Sequence, residues 1–180
     1  MTDFAGFVSV DVETAGPEPT RYALLSIGAC LVSDPYTSIY LELKPVGDLV
    51  DAEALAVSGL SLERLQASGT EPAEAMRAWA DWLTEQASPN PVMLAFNAPF
   101  DWAFVNSYFH RFLGHNPFGH SALDVKAFAM GALGIEWRST SYSALAEHWL
   151  EGQSLEHQAL QDARQQARLF QTLWIQSQRS

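Results

Sequence analysis

The stretch Phe7-Val8-Ser9-Val10-Asp11-Val12-Glu13-Thr14-Ala15-Gly16 limits the fold more than any other part of the chain. Val8, Val10 and Val12 recur with the period of a buried strand, so Asp11 and Glu13 must project from one face near its end. Two carboxylates held side by side repel each other. They stay ionised only where a cation sits between them or water reaches both. Thr14-Ala15-Gly16-Pro17 breaks the strand and leaves room beside the acids. A pair presented this way supplies half of an oxygen-rich site for a hard divalent cation such as Mg²⁺. A lone Asp-x-Glu equally suits a solvated strand end, so its meaning rests on what the other segments add.

A chain of 180 residues suits one domain with a sizeable core. Hydrophobic residues at 48% against 17% charged fit a globular protein rather than a disordered one. Neither an apolar run of about 18 residues nor a basic-then-apolar leader is present, so no membrane span or secretory signal is expected. Cys30, the single cysteine, lies in an apolar run and reads as a buried small hydrophobe, which fits a reducing, cytoplasmic setting. A net charge of −11 argues against coating long duplex through a broad basic face. It leaves room for a nucleic-acid enzyme in which bound metal attracts phosphate locally. Short or single-stranded substrates held at one end suit that balance.

Hydrophobic periodicity predicts further strands over 22–32, 36–43 and 92–96, the first two pairing back antiparallel from the opening strand. Helices are expected over 51–57, 62–67 with Ser61 as cap, 71–87 with Thr70 as cap, and 100–113. Others are expected over 125–133 with Asp124 as cap, over 142–149 with Ser141 as cap, and over 157–176. Met76, Trp79 and Leu83 form a core stripe, as do Ala163, Ala167 and Phe170. Glu151-Gly152-Gln153-Ser154 reads as the link to the last helix, and 134–140 as a loop. No repeat or second-domain boundary is visible.

Asp101 follows the fourth predicted strand and the turn Asn97-Ala98-Pro99, at a helix start where α/β folds place ligands. It could equally serve only the helix dipole. His157 and Asp162 are five residues apart and cannot share a narrow helix face. A joint site requires Asp162 on the helix and His157 on its frayed start or the loop before it.

Three blocks carry a family resemblance: Val8–Thr14, Ala95–Asp101 and His157–Ala163. In order and separation they resemble the DEDDh family of 3′→5′ exonucleases, over essentially the whole chain. The resemblance implies a ribonuclease-H-like α/β fold, a mixed sheet of about five strands flanked by helices. It implies that Asp11, Glu13, Asp101 and Asp162 hold two Mg²⁺ or Mn²⁺ ions, with His157 as general base. The chemistry is coherent: two metals about 4 Å apart stabilise both oxygens of an in-line displacement. Imidazole is the side chain whose charge changes near neutral pH. By the same resemblance Thr14, Ala15, Leu60, Asn97, Phe100 and Phe104 contact the strand, Leu60 as an apolar wedge. Ser58 stands where the family often has a histidine. Asp11–Gly16 and Asn116-Pro117-Phe118 are similar to ribonuclease T, and the short length to oligoribonuclease. Those relatives form homodimers, which makes a homodimer an expectation here. The implied partners are 3′ ends of single-stranded DNA or RNA. A nucleic-acid-binding module that kept the fold and lost turnover is the alternative.

Overall fold

The computed structural model describes residues 4–150 and 155–178. The link read over 151–154 lies outside them. Five strands form one mixed sheet: β1 (Phe7–Thr14), β2 (Leu24–Leu31), β3 (Ser38–Glu42), β4 (Val92–Ala95) and β5 (Ala122–Asp124). Their spatial order is β3-β2-β1-β4-β5. β1–β2 and β2–β3 are antiparallel, as their short connections require, whereas β1–β4 and β4–β5 are parallel. The expected ribonuclease-H-like architecture is present. β5 was not legible: three residues are too few to display a period, and the strand exists because Ala122, Leu123 and Asp124 pair with Met93, Leu94 and Ala95.

The helices are α1 (Ala52–Ser58), α2 (Leu62–Ser68), α3 (Pro72–Gln86), α4 (Ala98–Leu113), α5 (Val125–Leu133), α6 (Tyr142–Trp149) and α7 (Ala159–Ser177). Ser61, Asp124 and Ser141 cap α2, α5 and α6 through side-chain oxygens. Thr70 does not cap α3. Its backbone carbonyl instead accepts the Lys44 N–H at 2.9 Å beside β3, and Glu71 becomes the flanking residue before Pro72. The loop read over 134–140 contains a 3-10 turn, Trp137–Ser139.

The alternation of β1 sorts its side chains between two layers. Val8, Val10 and Val12 join the core beneath α3 and α4, with Trp79 stacked on Phe109 at 4.9 Å. The opposite face is covered by α5, α6 and α7, where Ala163, Ala167, Phe170 and Leu173 pack toward Leu94 and Cys30. Asp11 and Glu13 face this second layer, beneath the start of α7.

Gly28 lets α7 come that close. It lies opposite Asp11 in the β1–β2 register. A Cβ there would overlap the backbone of Ala159 and Leu160. The head of α7 therefore rests directly on the sheet. Gly131, on the exposed side of α5, has nothing within 4 Å of the same hypothetical atom. The two glycines should respond with opposite sign to alanine. Gly28→Ala is expected to lower unfolding free energy by about 1–3 kcal/mol through overpacking against rigid backbone. Gly131→Ala is expected to raise it by about 0.4–1 kcal/mol. Urea denaturation of both variants checks the pair.

Candidate active site

The carboxyl ends of the parallel strands β1, β4 and β5 lie along one edge, and the candidate residues gather there. Asp11 and Glu13 are half-buried on β1. Asp101 sits in the first turn of α4, only 4% exposed, and its Oδ1 accepts the Val12 N–H at 3.2 Å. That bond fixes the head of α4 between the two β1 acids. Asn97 turns the chain into α4 with φ +64°, a left-handed conformation that asparagine tolerates better than most residues.

Asp162 lies in the first turn of α7 and is 2% exposed. Its Oδ1 accepts the Glu156 N–H at 2.8 Å, folding the preceding loop back over the helix head. His157 is in that loop, exposed, with φ +52°. α7 starts at Ala159, two residues later than its sequence suggests, and this leaves the imidazole free of helical geometry. One ligand atom from each of Glu13, His157 and Asp162 falls within 4.8 Å of the others. Asp11 feels the charges of Asp101, Glu13 and Asp162 together. All four acids and the histidine thus converge on one corner of the sheet.

The electrostatics are strained in one direction. Burial, reinforced by the three neighbouring carboxylates, holds Asp11 well above the usual carboxylate range. Burial pushes Asp101 up to about 8, partly offset by backbone N–H donors. Glu13 is pushed up to about 7 by burial and the Asp162 charge. Asp162 is raised by burial, which outweighs the N–H groups of the 156–158 loop. The ion pairs among the described residues, Lys44–Glu71 and Arg64–Glu42, do not include these acids. Clustered oxygen donors that resist ionisation, in no ion pair with a lysine or arginine among the described residues, fit a divalent metal ion.

Gln166 completes the corner and was missed by sequence reasoning. It is 1% exposed, its Nε2 donates to Asp11 Oδ1 at 2.6 Å, and its Oε1 accepts the Phe96 N–H at 2.9 Å. A carboxylate can only accept and a backbone N–H only donate, so the amide has one orientation. One signal existed: Gln166 is four residues after Asp162 and must share its helix face. Asp124 does more than cap α5. Its Oδ1 accepts the Ala127 N–H at 2.7 Å and its Oδ2 the Ala98 N–H at 2.6 Å, which joins the heads of α5 and α4.

The expected strand-contacting residues divide. Phe100 is 37% exposed, whereas Phe104 is wholly buried and supports Phe100 from beneath, ring centroids 5.4 Å apart. Phe104 therefore lines the core and not an open path, because its turn of α4 faces the sheet. Ala15 is 1% exposed, its N–H donates to the Ala23 carbonyl, and its own carbonyl accepts from Asp51. The fold already uses that backbone. The Thr14 hydroxyl donates to the Gly16 carbonyl at 2.9 Å. Leu60 is half-buried and Asn97 exposed. Leu60, Glu13, Ser26, Tyr40, Glu42 and His157 line a cavity of about 340 Å³ beside the acids. A larger, more apolar cavity of about 670 Å³ between α5 and α6 shares none of the clustered residues.

The exonuclease family, RNase_T, matches residues 8–170. The chain is 43% identical over 174 residues to the 3′-5′ DNA exonuclease Cap18 of Escherichia coli, covering 96% of this chain and 93% of that protein. Over 168 residues it is 26% identical to a PolC-type DNA polymerase III of Thermotoga petrophila, 92% of this chain but 12% of the polymerase. In fold it resembles E. coli exonuclease I bound to a dT13 oligonucleotide, with TM-score 0.69 and 21% identity over 95% of this chain and 41% of the other. It also resembles a 3′-exonuclease that recognises the histone mRNA stem-loop, with TM-score 0.76 and 10% identity over 96% and 66% of the two chains. With three sequence blocks, a ribonuclease-H-like sheet and a converging acid cluster, these matches establish that the chain belongs to the DEDD-type 3′→5′ exonuclease family.

Proposed function

We propose that the protein removes nucleoside 5′-monophosphates from the 3′ end of single-stranded DNA with the help of two Mg²⁺ or Mn²⁺ ions. The convergence of Asp11, Glu13, Asp101 and Asp162 with His157 carries this reading. The DNA preference rests on the relative named as a DNA exonuclease, at 43% identity.

In this reading the four carboxylates hold the cations. Once bound, these supply charge stabilisation to the phosphoryl oxygens and lower the cost of deprotonating water. His157, exposed at the mouth and untied to the helix, accepts the proton of the attacking water. The new bond forms between that oxygen and phosphorus. The bond to the 3′ oxygen of the penultimate nucleotide breaks, and the terminal nucleotide leaves as its 5′-monophosphate. Phe100 offers a ring face to a terminal base and Leu60 an apolar edge. Gln166 keeps Asp11 turned toward the cluster. The reading includes a homodimer, which the family resemblance implies. It includes a cytoplasmic setting, which the single free cysteine, Cys30, fits. Among the described residues no helix is long and apolar enough to cross a membrane.

Stepwise shortening of a 5′-labelled oligonucleotide from its 3′ end should stop in excess chelator and return with Mn²⁺ or Mg²⁺. Asp101→Asn should reduce it by at least about a hundredfold, on the scale of removing one preorganised electrostatic group. Chelator-resistant cleavage would sink the reading. Gln166→Leu should cost about 10–100-fold in activity or metal affinity, as loss of a ligand's supporting hydrogen bond does. Gln166→Glu, which sets a third oxygen acceptor against Asp11, should cost more. Stability should depend on pH in a metal-sensitive way. The folded acids titrate above their ordinary values near 4, so the folded protein binds more protons than the unfolded chain between about pH 4 and 8. Metal-free stability must then fall as pH rises through that window. The melting temperature in chelator should be lower at pH 8 than at pH 5, and Mn²⁺ should restore it chiefly at pH 8. A metal-independent profile would contradict a cation site there.

A further inference from the structure

A second surface adjoins the acid corner. Phe96 ends the β4 run, and its backbone N–H is held by the same Gln166 that holds Asp11. Its ring meets Tyr142 edge-on at 5.4 Å, and the Tyr142 hydroxyl donates to Gln165 of α7 at 3.0 Å. The next parallel strand leads into α5, whose first turn carries Lys126. The Lys126 ammonium lies 6.0 Å from the Phe96 ring centroid and 4.5 Å from that of Trp137. Trp137 is 49% exposed, and Arg138 beside it is also exposed. Phe96, Lys126 and Trp137 therefore form a strip of two rings about one ammonium, with exposed Arg138 next to Trp137 in the chain. It starts at the carboxyl edge that holds the acids and runs outward across α5.

An ammonium between two rings makes the strip distinctive. The chain has ten lysines and arginines against 21 acids. Of the ten, Lys44 and Arg64 are committed to Glu71 and Glu42, and Arg164 donates to the Pro35 carbonyl and the Ser38 hydroxyl. Lys126 and Arg138 are in no ion pair among the described residues, and neither are Arg21, Arg77, Arg111 and Arg168; Lys126 differs from these in lying against two rings beside the carboxyl edge. The acids nearest in sequence are Asp124, whose two oxygens accept backbone N–H groups, and Glu136 at the exposed start of the 3-10 turn. A half-exposed tryptophan over an ammonium, at the rim of a site for phosphodiesters, suits bases and phosphates of one strand.

We propose that this strip holds the single-stranded DNA lying 5′ of the two nucleotides that flank the bond being cut, with a base against Trp137 and phosphates on Lys126 and Arg138. The proposal rests on the exonuclease reading above and adds a binding surface outside the acid corner. The simpler role for Lys126 and Trp137 is to fasten the 3-10 turn to α5. The two roles predict different behaviour.

The test compares a dT dinucleotide with a dT 12-mer as substrates of the wild type, Trp137→Ala, Trp137→Tyr, Lys126→Ala and Arg138→Ala. Trp137→Ala should raise KM for the 12-mer by roughly tenfold, the scale of one lost base stack, with kcat unchanged. KM for the dinucleotide should not move. Trp137→Tyr, which keeps a ring, should recover most of the loss. Each cation variant should reduce the salt dependence of 12-mer binding, with a slope change of about one. Binding is read independently by fluorescence anisotropy of a labelled 12-mer with the Asp101→Asn protein in Ca²⁺, with and without Trp137→Ala. Equal KM changes for both lengths, or no change for either, would overturn the proposal. Should Trp137→Ala fail to fold, Arg138→Ala, altered at an exposed side chain, decides by its salt slope. A wild type that cuts neither length with any divalent metal defeats the exonuclease reading instead, and Trp137-dependent binding of the 12-mer alone would still uphold the strip.

Discussion

Mutual repulsion among four half- or fully buried carboxylates is the constraint around which this molecule is arranged. Left to themselves, Asp11, Glu13, Asp101 and Asp162 would separate into solvent. Three of them are held by hydrogen bonds: Asp101 to the Val12 N–H and Asp11 to Gln166 tie α4 and α7 to β1, and Asp162 to the Glu156 N–H ties α7 to the loop before it. Each satisfies part of a carboxylate's accepting capacity, and Asp162 also takes the N–H groups of His157 and Gln158. None supplies a positive charge. The fold spends stability to keep the acids close, and a bound cation would return it.

The close contact at Gly28 has the same logic at the level of packing. A side chain there would lift the head of α7 from β2, and Asp162 with it. Because α7 rests on the sheet, Asp162 and Gln166 both reach β1, one toward Glu13 and the other toward Asp11. Asp124 performs a comparable service across the sheet edge, joining the heads of α4 and α5 so that Asp101 and Lys126 start from fixed positions. The acid corner and the aromatic strip share a foundation, since Gln166 holds Asp11 with one end of its amide and Phe96 with the other.

The departures from the expected pattern have local causes. Phe104 is one turn beyond Phe100, and that turn already faces the core. Ala15 cannot lend its N–H because the chain reversal after β1 needs it for Ala23. Thr70 has the chemistry of a cap, yet its carbonyl is claimed by Lys44 beside β3 and the helix starts at Pro72 instead. In each case a competing contact, distant in sequence, took the group that local rules had assigned elsewhere.

Sequence alone determined the opening strand, the shared face of Asp11 and Glu13, most helix positions and the pattern of acids that resembles a nuclease family. These are short-range properties: periodicity 2 or 3.6, capping chemistry, and motif spacing. It also required that His157 leave the helix for any site joining it to Asp162. Tertiary structure decided the rest. β5 exists only through its pairing with β4, and the reach of α7 depends on the missing side chain at Gly28. The second oxygen of Asp124 finds Ala98, and Lys126 finds the Phe96 and Trp137 rings. Such contacts follow from how the layers meet, and no local pattern in the chain encodes where a side chain's partner across the sheet will be.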